Sequence, residues 1–107
     1  MPCIILDRDG VINFESSEYI KSPKEWVPIP GSLSAIAELT RANFHVFIAT
    51  NQSGIARGHY DIATLSCIHD KLKRELLAYG GLIDDIFFCP HHPDEHCSCR
   101  KPEPGLL

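Results

Sequence analysis

The 107-residue chain lacks any block of basic residues and carries a formal charge of −4, which argues against a nucleic-acid-binding surface. No apolar run approaches the roughly 20 residues needed to span a bilayer. The N-terminus has neither the basic start nor the small-residue cleavage site of a signal peptide, and it enters an apolar run almost at once. There is no internal repeat and no low-complexity tract. These absences predict a cytoplasmic protein without a membrane or nucleic-acid partner. The length favours one domain over 1–107, and a hydrophobic content of 44% is enough for a modest packed core.

What is present is concentrated in three runs. The first is Ile4-Ile-Leu-Asp7-Arg-Asp9-Gly-Val-Ile-Asn13. The apolar lead reads as a buried strand of a parallel sheet. Side chains two apart on an extended segment point the same way, so Asp7 and Asp9 can converge beyond the strand's carboxyl end, where open α/β sheets bind ligands. Converging carboxylates repel unless a cation or proton lies between them, and Mg²⁺ is the natural cation for oxygen ligands. The pair suits an aspartyl nucleophile beside a general acid/base. Taken alone, it is equally a strand end followed by a polar turn.

The second run is Thr50-Asn51-Gln52-Ser53-Gly54-Ile55-Ala56-Arg57-Gly58. It leaves another strand and offers hydroxyl, amide and backbone donors, with Arg57 able to fork a phosphate. Alone it is a polar loop; beside Asp7 it supplies a phosphate-binding half-site.

The third run holds three of the five cysteines, in Cys89-Pro-His91-His92-Pro-Asp-Glu-His96-Cys97-Ser-Cys99. In a cytosolic protein such a cluster points to metal rather than disulfides. Cys89, His91, Cys97 and Cys99 make a Cys₃His zinc set in a loop over 89–99, with His92 and His96 as rival ligands. Four protein ligands leave no open position, so the zinc is structural. Arg100 and Lys101 follow directly. They read either as a solvated basic pair or as cations held over the crevice by the pinned loop.

The pattern between these runs predicts strands over 3–7, 45–50 and within 83–88. A helix over about 33–43 carries Ser32 as N-cap and Leu33, Ile36, Ala37 and Leu39 on one side. A second helix runs from an Asp61 cap to about Tyr79, with Ile62, Leu65, Ile68, Leu72, Leu76 and Tyr79 as its apolar stripe. Gly80-Gly81 ends it. The connection over 10–31 is too long for an ordinary loop and reads as a lid or binding loop. The order β-α-β-α-β predicts an α/β fold with a three-stranded parallel sheet. Lys101 to Leu107 reads as the lead-in to another helix, so the chain is expected to be the N-terminal part of a longer protein.

The runs LDRDGVIN, TNQSGIARG, CPHHP and CSCRKPEPG together resemble the haloacid dehalogenase-like phosphatases, over essentially the whole chain. Within that family they are most similar to a zinc-containing branch acting on heptose bisphosphate or histidinol phosphate. The resemblance implies a Rossmann-like domain with Asp7 as nucleophile and Asp9 as proton donor. It implies Mg²⁺ on the Asp7 side chain and the Asp9 carbonyl, and zinc on Cys89, His91, Cys97 and Cys99. Thr50, Arg100 and Lys101 would stabilise the transferring phosphoryl group. Glu15, Tyr19, Asn51, Gln52, Ser53 and Arg57 would complete the substrate contacts, with Glu15 to Tyr19 in a sugar-contacting flap. The family carries a further Gly-Asp motif after a fourth strand, beyond Leu107, that completes the Mg²⁺ shell. The SGIARG run resembles the heptose branch's loop more than the histidinol one, which implies a phosphatase acting on a small phosphorylated heptose and feeding surface polysaccharide synthesis; a monomer is expected. Histidinol phosphate hydrolysis and an inactive zinc-stabilised fragment are the alternatives.

Overall fold

The computed structural model describes residues 2–16, 19–52 and 55–89. Among these, three strands form one parallel sheet in the order β1 (Cys3–Leu6), β2 (His45–Asn51), β3 (Asp85–Cys89). Cys3 to Leu6 pair with His45 to Ile48, and Phe47 to Asn51 pair with Asp85 to Cys89. The helices α1 (Ser32–Arg41) and α2 (Ile62–Ala78) make the two crossovers. Both crossovers step the same way across the sheet, so both helices cover the same face.

That face is the core. Val46 and Ile48 of β2 meet Leu33 and Ile36 of α1 and Ile68, Leu72 and Leu76 of α2. Ile4, Leu6 and Ile86 pack at its margin. The opposite face carries Ile5, Phe47 and Phe87, and the two phenylalanine rings stack at 6.4 Å. The first strand is therefore not buried on both sides as its sequence predicts. Ile5 is 49% exposed, because β1 is an edge strand with no helix among the described residues over its outer face.

The ends of the helices differ in how far they follow the sequence. Asp61 caps α2 as expected, its carboxylate accepting from the Thr64 N–H at 2.7 Å. Ser32 does not cap α1. Gly31 takes that position with φ +87°, and the Ser32 hydroxyl instead donates to the Ile12 carbonyl at 2.7 Å. Ile62 and Tyr79 fall off the buried stripe of α2, both 55% exposed, and His69 joins it. Past α2, a Cβ on Gly81 would lie 2.5 Å from Leu76 Cδ1 and 3.2 Å from Ala37 Cα, so this glycine is needed where the helices meet.

The long connection after β1 is anchored. It sends Ile12, Ile20 and Trp26 into the core, and a short 3₁₀ turn at Pro23–Glu25 leads into Trp26. Lys71 of α2 holds it there, donating to the Pro23 and Trp26 carbonyls at 2.7 and 2.8 Å. No described helix is long and apolar enough to cross a membrane.

Candidate active site

The carboxyl ends of β1 and β2 bring the first two runs together. Asp7 follows β1 directly, is exposed, and accepts the Arg8 N–H at 2.8 Å. The chain then turns tightly about the Arg8 carbonyl, which receives the N–H groups of Val11, Ile12 and Asn13 at 2.8 to 3.3 Å. Gly10 sits in this turn at φ +82°, where a side chain would be strained. The turn sets Asp9 half-buried, its side chain 28% exposed.

Asp9 is held on both oxygens, unequally. Oδ1 accepts from Arg8 Nε at 2.8 Å and Asn13 Nδ2 at 3.0 Å, with Arg8 Nη2 at 2.7 Å. Oδ2 has the Gln52 amide at 3.5 Å. Arg8 and Asn13 are themselves fully buried. The guanidinium continues inward, with Nη1 3.1 Å from His69 Nε2 on α2. Burial first, then the charges of Arg8 and Lys73, push the His69 imidazole down from 6.5 to about 3, so this ring is neutral.

The second strand supplies the other wall. Thr50 and Gln52 are buried, and the Gln52 amide donates to Thr50 Oγ1 at 2.9 Å. The Gln52 N–H is taken by the Cys89 carbonyl at 2.7 Å, which fixes the loop exit against β3. The Tyr60 hydroxyl, at the far end of the loop, donates to Gln52 Oε1. Burial is the main cause that raises the Tyr60 phenol to about 12, so it remains a donor. Gln52 is thus an internal tie between Asp9, Thr50 and Tyr60 rather than an exposed contact.

Asn51 is half-buried at the end of β2. Arg57 is exposed and lies 5.9 Å from the Tyr19 ring centre, and His59 stacks on the same ring at 5.1 Å. Tyr19 adopts φ +69°, an uncommon conformation that brings the connection over 10–31 against the 55–60 loop. Glu15 is exposed beside the Gly10 turn. Ser53, His91, His92, His96, Cys97, Cys99, Arg100 and Lys101 lie outside the described residues. Cys89 is fully buried at the end of β3.

Four participants were not legible as site residues: Arg8, Asn13, Tyr60 and His69. Arg8 and Asn13 lie within the first run, where the sequence assigns them no role. His69 carried a signal, since a polar residue on the inner stripe of a helix needs a partner. Tyr60 carried none beyond its place before the α2 cap. Among the described residues no group of three His, Cys, Asp or Glu side chains gathers to hold a metal. The oxygen-only pair of Asp7 and Asp9 at an open strand end fits a share of an Mg²⁺ shell, with further ligands required.

No family model matches the chain. It is 59% identical over 106 residues to the D-glycero-beta-D-manno-heptose-1,7-bisphosphate 7-phosphatase of Bordetella bronchiseptica, covering 99% of this chain and 59% of that protein. The crystal structure of D,D-heptose 1,7-bisphosphate phosphatase from B. bronchiseptica, complexed with magnesium and phosphate, superposes with a TM-score of 0.97 at 59% identity. That match covers 99% of this chain and 59% of the other. An HAD-like phosphatase structure from Mesorhizobium loti matches with a TM-score of 0.90 at 36% identity, over 100% of this chain and 54% of its own. The α/β fold is therefore that of the HAD-like phosphatases, and the chain spans about three-fifths of the length of the first relative.

Proposed function

We propose that this chain, homologous over its whole length to the heptose-1,7-bisphosphate 7-phosphatases, carries the nucleophile half of an Mg²⁺-dependent sugar-bisphosphate phosphatase. The observation that carries the reading is the unequal setting of the two aspartates. Asp7 stands exposed at the strand end, where a phosphoryl group would approach, while Asp9 is half-buried and clamped through one oxygen, with the other turned toward Gln52.

In the forward step an Asp7 carboxylate oxygen attacks phosphorus and the bond to the sugar oxygen breaks. Asp9 gives its proton to that leaving oxygen. Oδ1 is occupied by Arg8 and Asn13, so Oδ2 carries the proton. Asp9 then takes a proton from the water that cleaves the aspartyl phosphate, which frees phosphate and restores Asp7. The Asp7 side chain and Asp9 carbonyl would hold Mg²⁺, which when bound offsets the negative charge of the phosphoryl group and nucleophile. Thr50 and Asn51 border the phosphoryl position, and Ser53, Arg57, Arg100 and Lys101 would complete its contacts. Glu15 and Tyr19 face the sugar. Cys89, His91, Cys97 and Cys99 would hold a structural zinc ion.

The substrate is D-glycero-β-D-manno-heptose 1,7-bisphosphate and the bond cleaved is that of the 7-phosphate, in heptose supply for surface polysaccharide. The relative's name supports both. The test is ³¹P NMR of this bisphosphate and of histidinol phosphate with the chain and Mg²⁺. Loss of the 7-phosphate signal alone is expected. Loss of the 1-phosphate, or faster release from histidinol phosphate, contradicts the assignment. No release from either places the activity with a longer protein only.

A further inference from the structure

We propose that His69 is a positioning residue for Asp9, acting through Arg8; the inference rests on the reading of Asp9 as the proton donor. Arg8 is fully buried, so its guanidinium must find its partners inside the protein. One side of the fork holds Asp9 Oδ1 through an Nε hydrogen bond at 2.8 Å, with Nη2 at ion-pair distance, 2.7 Å, but not hydrogen-bonded. The other side, Nη1, meets His69 Nε2 at 3.1 Å. Arginine has donors only. His69 Nε2 must therefore be the acceptor and its ring proton must sit on Nδ1.

The geometry gives His69 a task that a core leucine could not do. It lies on the inner face of α2 with Leu65, Ile68 and Leu72, 61 residues beyond Arg8 in sequence. A ring in this place supplies an acceptor at one fixed point of an otherwise apolar surface. Without it Nη1 is left buried and unpaired, and the fork rotates to find another acceptor. Asp9 Oδ1 is tied to the same planar group, so it moves with the fork. A proton donor displaced by a fraction of an ångström from a leaving oxygen loses rate more than affinity. His69 thus transmits the position of α2 to Asp9 without touching substrate.

The test compares His69→Gln with His69→Asn in the full chain. A glutamine amide oxygen reaches the place of Nε2; an asparagine amide oxygen reaches only that of Nδ1. With wild-type turnover on heptose bisphosphate as reference, kcat should fall about tenfold in H69N and largely recover in H69Q. KM should stay within about twofold in both. Two readouts need no activity. Long-range ¹H–¹⁵N correlation at pH 7 should show His69 as the Nδ1–H tautomer, and Arg8 Nε–H should exchange faster in H69N than in H69Q. A ring protonated at Nε2 overturns the proposal, whether or not either variant folds. Equal exchange in the two variants, or equal kcat where the wild type turns over, overturns it too. An inactive wild-type chain counts against the phosphatase reading alone, and the NMR readouts then decide this one.

Discussion

The chemistry is set by a few side chains whose partners lie far away in sequence. The placement of Asp7, Asp9 and Thr50 at strand ends was legible because strand period and strand ends are local properties. The clamps on Asp9 were not, since pattern alone cannot say which buried polar groups meet. Gln52 shows the difference. It reads as one more donor in a polar loop, yet it is 3% exposed and ties Asp9 to Tyr60. Tyr60→Phe removes the donor and leaves Gln52 Oε1 buried without it. A stability loss of about 1–3 kcal/mol is expected in urea denaturation. The amide is then free to turn, and kcat should drop severalfold; an unchanged kcat would show that Gln52 is held by Thr50 alone.

Among the elements, those with a strong period were read well and those decided by contact were not. The three strands and both helices lie where hydrophobic pattern puts them. The α1 cap falls on Gly31, and Ser32 opens the helix with its hydroxyl donating to the Ile12 carbonyl, a contact 20 residues away that a local pattern does not show. The connection over 10–31 has no period, so its anchoring by Trp26 and Lys71 could not be foreseen. Lys71 satisfies the Pro23 and Trp26 carbonyls together and lies 5.7 Å from the Trp26 ring centre. Replacing it with methionine keeps the stem and deletes both bonds. A loss of about 1–3 kcal/mol is expected, with faster hydrogen exchange across 19–29 than across the sheet. A uniform change in exchange would show that the connection unfolds only with the whole domain.

For the molecule as a whole, one buried histidine shapes the response to acid. His69 is neutral when folded, with its pKa lowered from 6.5 to about 3. The unfolded chain therefore binds the extra proton first. Stability from this group is complete above pH 6.5 and is lost as pH falls toward 3, at about 1.4 kcal/mol per unit once well below 6.5. Asp61 and Asp84 act lower. Their backbone and His45 hydrogen bonds hold them below the ordinary carboxylate range, so their contribution is lost only as pH falls through that range. Urea titrations at pH 7, 6 and 5 should show the wild-type chain weakening while His69→Gln does not. Parallel losses in both would assign the acid sensitivity to the carboxylates. The open sheet face around Ile5 and Phe87 adds a second whole-molecule property, an apolar surface that no described element covers.

The measurement that bears most directly on the account is Mg²⁺-dependent phosphate release from heptose 1,7-bisphosphate by the wild-type chain and by Asp7→Asn, each checked for folding by circular dichroism. The account predicts release by the wild type that stops when Mg²⁺ is chelated, and a loss of at least about 10³-fold in the folded D7N variant, because the amide cannot form the aspartyl phosphate. Comparable release by D7N, or release indifferent to Mg²⁺, would contradict it.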